Sequence, residues 1–133
     1  MQYPIAIHKD DDSCYGVIVP DVPGCFGAGA TFDAAMKDVR SAIDAHLSIL
    51  ADEGVIAPIG LTVDDYVGVD DYKGAIWAYV DVDISAYLGK TDKATVTLPR
   101  LLIDKIDAHV AAGGAKSRSA FLANSAAAAL SRV

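Results

Sequence analysis

Apolar and polar residues alternate over positions 2–9, with Tyr3, Ile5 and Ile7 on one side and Gln2, Ala6 and His8 on the other, as a half-buried strand requires. Asp10-Asp11-Asp12-Ser13 breaks the alternation with turn-forming residues. Tyr15-Gly16-Val17-Ile18-Val19 then predicts a second strand, which makes 2–19 a hairpin. Pro20-Asp21-Val22-Pro23-Gly24 excludes regular structure, and Cys25–Gly29 has room for a short third strand. After it the period changes. Ala35, Val39, Ala42, Ile43, His46, Leu47 and Leu50 recur at steps of three and four, predicting one amphipathic helix of about six turns. Thr31 is its expected N-cap, Asp33 sits in the first turn where the helix dipole favours an anion, and Gly54 is the expected left-handed terminator. Residues 55–74 read as loop, with one helical turn near Leu61–Tyr66. Ala75–Val82 predicts a fourth strand, whose unbroken apolar run implies burial on both faces or a central place in the sheet. To this point the order is β-β-β-α-β, a sheet with a helix on one side.

Ile84–Asp92 is a connector, after which Lys93-Ala94-Thr95-Val96-Thr97-Leu98 alternates strictly between polar and apolar. Pro99 can open the next helix, marked by Leu101, Leu102, Ile103, Ile106 and Val110 and broken by Gly113-Gly114. Ser117 is placed to cap a final helix with Ala120, Phe121, Ala123, Ala127 and Leu130 on its apolar stripe, Phe121 being the largest expected anchor. One strand and two helices in about 40 residues bury too little to fold alone, and a lone strand leaves its backbone unpaired. A second copy answers both needs: two identical strands form an antiparallel ribbon over four interlocked helices, a homodimer. Ala94, Val96 and Leu98 would line the inner face of that ribbon. Lys93, Thr95 and Thr97 would line the outer face, where such side chains can read base edges in a major groove. Ser117, Arg118 and Ser119, at a helix N-terminus, suit a phosphate. The expected fold class is therefore α+β, in two units, 1–90 and 91–133.

Charge sharpens that division. Residues 1–90 hold 15 Asp/Glu and 5 Lys/Arg, a balance of -10, whereas 91–133 hold 3 Asp/Glu and 6 Lys/Arg, a balance of +3, and the two sum to the chain's -7. The acidic part favours a basic protein and the basic part favours nucleic acid. A hydrophobic content of 53% with 22% charged residues is a globular composition. No apolar run reaches the ~20 residues of a membrane span, and no signal-peptide pattern opens the chain, so a cytoplasmic location with no membrane partner is expected. Cys14 and Cys25, without a Cys/His cluster, read as reduced, buried small hydrophobes. Asp10-Asp11-Asp12 reads as solvated turn chemistry rather than a Mg²⁺ site, and Gly27-Ala28-Gly29 lacks the third glycine of a dinucleotide loop. His8, His46 and His109 fall in separate elements, away from any nucleophile motif. No enzyme, cofactor or metal is expected.

Several segments together resemble the HicB antitoxins of bacterial toxin-antitoxin pairs, in their ribbon-helix-helix variety. They are Tyr3-Pro4-Ile5, Tyr15-Gly16-Val17, Pro20-Asp21-Val22-Pro23-Gly24-Cys25-Phe26, Val80-Asp81-Val82-Asp83, Tyr87-Leu88-Gly89-Lys90, Val96-Thr97-Leu98-Pro99 and Ser117–Leu122. The resemblance covers nearly the whole chain. It implies that 1–90 is a partial ribonuclease-H-like module without nuclease activity, which masks a small basic mRNA-cleaving toxin, HicA. It implies that 91–133 is a ribbon-helix-helix that dimerises, binds operator DNA and represses its own operon, with a dimer of dimers left open. Ala94 departs from the pattern, being smaller than the aliphatic residue usual there. From charge and expected exposure, Asp10, Asp11, Asp12, Asp21 and Pro23 are the candidate toxin contacts.

Two other readings compete. A ribbon-helix-helix repressor could use its first module to sense a ligand or another protein, and an adjacent gene for a small basic protein discriminates against that. A ribonuclease-H-like nuclease would cleave RNA–DNA hybrids with a divalent metal and lose activity on Asp→Asn replacement.

Overall fold

A computed structural model describes residues 1–9 and 14–131. Strands β1 (Gln2–Lys9), β2 (Tyr15–Ile18), β3 (Phe26–Gly29) and β4 (Ile76–Asp81) form one sheet in the order β3-β2-β1-β4, every neighbouring pair antiparallel. Helix α1 (Phe32–Asp52) packs on one face. Its N-cap is Thr31, whose hydroxyl accepts from the Ala34 amide at 3.1 Å, and Gly54 follows with φ +72. Ala35, Val39, Ile43 and Leu47 of α1 meet Tyr3, Ile5, Ile7, Val17 and Val80 in the core. Pro4 is tolerated inside the central strand because β2 ends opposite Ala6, so the missing donor lies beyond the ladder.

The close approach of α1 to β3 depends on glycine. A Cβ on Gly27 would lie 2.7 Å from Val39 atoms, and one on Gly29 would lie 2.4 Å from the Ala35 nitrogen. The Gly-Ala-Gly segment is thus a packing surface for a helix.

Four expectations are corrected. β4 is an edge strand, with Ile76 58% and Tyr79 44% exposed. Its apolar run is explained by the segment that precedes it, for α2 (Val63–Tyr66) and the 3₁₀ turn Asp70–Tyr72 lay Tyr66 and Tyr72 against Trp77, at ring-centroid distances of 6.5 and 5.6 Å. Cys14 is exposed, and only Cys25 is buried. Pro99 is the N-cap of α3 (Arg100–Ala111), not its first residue, because its ψ of 141 is extended. Phe121 is only half-buried, edge-on to His109, and the buried anchor of α4 (Arg118–Ser131) is Ala127.

Ala127 joins the same buried cluster as the sheet residues, and Ser131 Oγ donates to the Ala57 carbonyl at 2.9 Å. The end of α4 therefore rests on the sheet module. Residues 91–99 form no strand in the single chain, and Ile106 is the buried residue of α3. No helix among the described residues is long and apolar enough to cross a membrane.

Candidate functional site

Two surfaces carry the candidate residues. The first lies on the sheet face opposite α1. Pro23, exposed, borders a groove of about 530 Å³ with Ile18, Pro20, Phe26, Asp71 and Tyr72. Phe26, a large apolar side chain, is 61% exposed. Asp64, Asp65, Asp70 and Asp71 lie exposed along the neighbouring segment. Asp21 was expected to be exposed but is 9% exposed and structurally engaged. It accepts from the Tyr66 hydroxyl at 2.6 Å and from the Leu61 amide at 3.1 Å, so it fastens the 61–66 segment to the Pro20–Gly24 turn. Burial pushes its carboxyl above the ordinary value, against the two hydrogen bonds that pull it down. Asp10, Asp11 and Asp12 lie outside the described residues. The sequence reading missed Phe26, Tyr72 and the four aspartates of 61–74. Their signal is the interleaving of acids with tyrosine and valine over 63–72, a pattern that also fits an ordinary loop.

The second surface is built by 91–99 and the start of α4. Lys93, Thr95 and Thr97 are exposed. Ala94, Val96 and Leu98 overlook Leu122 of α4 and Ile103 of α3 across an open hollow of about 260 Å³, and a wider hollow of about 670 Å³ adjoins it beside Ser119. Val96 stays 64% exposed there. Ser117 caps α4 by accepting from the Ala120 amide at 3.0 Å. Arg118 does not stand free: Nε and Nη2 donate to the two carboxylate oxygens of Asp107 at 3.0 and 2.8 Å, which holds Asp107 below the usual carboxylate range. Among the described residues, no three His, Cys, Asp or Glu side chains converge on a possible metal site.

The sequence matches, over residues 3–126, the family model described as the HicB-like antitoxin of bacterial toxin-antitoxin systems. The chain belongs to that family. The crystal structure of the Burkholderia pseudomallei antitoxin HicB superposes with a TM-score of 0.82, at 45% identity over 98% of both chains. A HicB-like chain is therefore an antitoxin and not an enzyme, built as a four-stranded antiparallel sheet with helices. An uncharacterized 14.9 kDa protein from the rep-hol intergenic region of Haemophilus phage HP1 is 40% identical over 123 residues, 92% of each chain. A chain of a HicA3 and HicB3 toxin-antitoxin complex, 32% identical, matches with a TM-score of 0.53 over 62% of this HicB-like chain and 99% of its own length.

Proposed function

We propose that this HicB-like antitoxin neutralises a small, basic, HicA-type mRNA-cleaving toxin through its acidic sheet module. As a ribbon-helix-helix homodimer it would also bind operator DNA and repress its own operon in the cytoplasm. Residues 1–90 then form the toxin-binding unit, a partial ribonuclease-H-like fold, and 91–133 the DNA-binding and dimerisation unit. The similarity to a chain of a toxin-antitoxin complex supports the first role. Coverage of a toxin's RNA-binding surface is steric and electrostatic, with aspartates replacing phosphates as partners of its cations. Pro23 and the Asp10–Asp12 run remain candidate contacts, whereas Asp21 acts from beneath.

One observation carries the second role: a strandless segment stands over two helices with Ala94 and Val96 exposed and Leu98 half-buried. Pairing with its own copy satisfies the backbone of 93–98 and covers Ala94, Val96 and Leu98 together. It also turns Lys93, Thr95 and Thr97 to the outside, as a ribbon in a major groove requires. Ser117 and Ser119 with Arg118 would then meet phosphate at the start of α4. Co-purification from the native cell, with identification of any small basic companion, tests the first role, and its absence would defeat it. For the second, Thr95→Ala is expected to weaken operator binding more than binding to random DNA. Arg118→Ala should lower both and flatten the salt dependence. Equal losses on both DNAs for Thr95→Ala would remove base reading.

A further inference from the structure

The sheet face away from α1 carries a cross-strand row of Phe26, Ile18, Ala6 and Trp77, each paired with the next. The two ends of that row are finished differently. Trp77 is covered by Tyr72, which lies edge-on to it at 5.6 Å and edge-on to Tyr66 at 5.9 Å. Phe26, at the other end, is exposed. The hollow of about 530 Å³ lies between these ends, lined by Ile18, Pro20, Pro23 and Asp71 beside Phe26 and Tyr72. Its far wall is braced from below, since the buried Asp21 carboxylate accepts from the Tyr66 hydroxyl at 2.6 Å and Tyr66 packs on Tyr72.

Charge around the hollow is of one sign. Asp64, Asp65, Asp70 and Asp71 are exposed along 61–74, against the single cation Lys73. No Lys, Arg or His lines the hollow among the described residues. Aromatic and proline surface therefore meets an acidic rim, and such a lining discriminates between cations. A lysine ammonium is compact and strongly hydrated, and it resists entry into an apolar hollow. A guanidinium is planar and more weakly hydrated, stacks on a ring, and meets a carboxylate through two parallel N–H groups. Its aliphatic stem can lie along the prolines.

We propose that this hollow takes an arginine side chain of the basic partner, with its guanidinium stacked on Phe26 and paired with Asp71. The contact rests on the toxin-binding role proposed above and is the anchor of that surface. Tyr72 is held in place by Trp77 and Tyr66 before any partner arrives, so little ordering of the slot is needed on binding.

Two probes test the slot on the full chain. Acetyl-Gly-Arg-Gly-amide, titrated to millimolar concentration, is expected to shift the backbone amide NMR signals of Ile18, Phe26, Asp71 and Tyr72. The matching lysine peptide should shift them less. Equal responses to the two peptides, no response, or a response centred on Asp10–Asp12 would overturn the arginine slot. The second probe is the small basic companion that co-purifies. Phe26→Ala should weaken its binding about tenfold or more, as loss of an anchor does. Phe26→Tyr keeps the ring and should bind as the unaltered chain does, whereas Phe26→Leu keeps apolar area without a π face and should not. Asp71→Asn should lose about three- to tenfold and flatten the salt dependence. Both residues are exposed, so circular dichroism is expected to show every variant folded. A companion held equally well by Phe26→Ala would sink the anchor and leave toxin binding standing. Absence of any companion, with the arginine peptide still seated between Phe26 and Tyr72, would sink toxin binding and keep the slot.

Discussion

The Tyr66 hydroxyl donates to the buried Asp21 carboxylate at 2.6 Å, and with the Leu61 amide this bond fastens the 61–66 segment to the Pro20–Gly24 turn. Tyr66 in turn stacks on Trp77 with ring planes 13° apart. A carboxylate from the Pro-Asp-Val-Pro-Gly turn thus orders an aromatic cluster distant in sequence.

Removing the donor leaves a buried charge with only the Leu61 amide. Tyr66→Phe is expected to cost about 1–3 kcal/mol of stability, because a buried acceptor loses its partner. Urea denaturation at neutral pH measures it. A loss no larger than that of an exposed Tyr→Phe change would show that Asp21 is satisfied by water.

The same carboxylate has a definite pH signature. Burial raises its folded-state pKa above the unfolded value, so the unfolded chain releases this proton first as pH rises. The contribution from Asp21 is fully present below the unfolded carboxylate value and is lost as pH climbs through the folded one. The melting-temperature difference between the unaltered chain and Asp21→Asn should therefore shrink from acid toward neutral pH. A difference that grows over that interval would mean that the hydrogen bonds outweigh burial.

Gly27→Ala places a methyl carbon 2.7 Å from Val39 backbone and side-chain atoms at the α1–β3 contact. The helix must move away from the sheet, at a cost of about 1–3 kcal/mol by the usual penalty for overpacking. Chemical denaturation of the folded variant reads it. A neutral result would show that α1 can shift without disturbing Ala35 and Val39.

The element order was legible because the periods are clean. Alternation to Lys9 and the three-four spacing of Val39, Ile43 and Leu47 each have one structural solution, and Thr31 and Gly54 bracket α1 by local chemistry. The position of β4 was not legible. Trp77 reads as core in sequence, but its cover comes from Tyr66 and Tyr72, whose aromatic packing lies within a stretch resembling loop. Asp21 misled for a related reason: a turn aspartate is usually solvated, and only the fold brings Tyr66 to it. The family segments located both candidate surfaces. They could not disclose that Arg118 is paired, because Asp107 lies in a different helix.

That pairing leads to the last prediction. With Nε and Nη2 of Arg118 committed to Asp107, Nη1 and one hydrogen of Nη2 remain for a phosphate, and the Asp107 carboxylate would lie close behind it. In the proposed complex, Asp107 both orients the guanidinium and repels the duplex. The orienting contribution is small, since an exposed ion pair is worth about 0–1 kcal/mol. Repulsion between unit charges about 6 Å apart in water is also below ~1 kcal/mol, but it acts on every sequence alike. Asp107→Asn keeps a side-chain acceptor for Arg118 and removes the charge. Binding to random and to operator DNA should therefore rise alike, about threefold at low salt, with a steeper salt dependence and an unchanged preference for the operator. Titration of operator and random duplexes at several salt concentrations measures all three. If binding to both falls instead, Asp107 acts by holding Arg118 in place, and orientation outweighs charge at the start of α4.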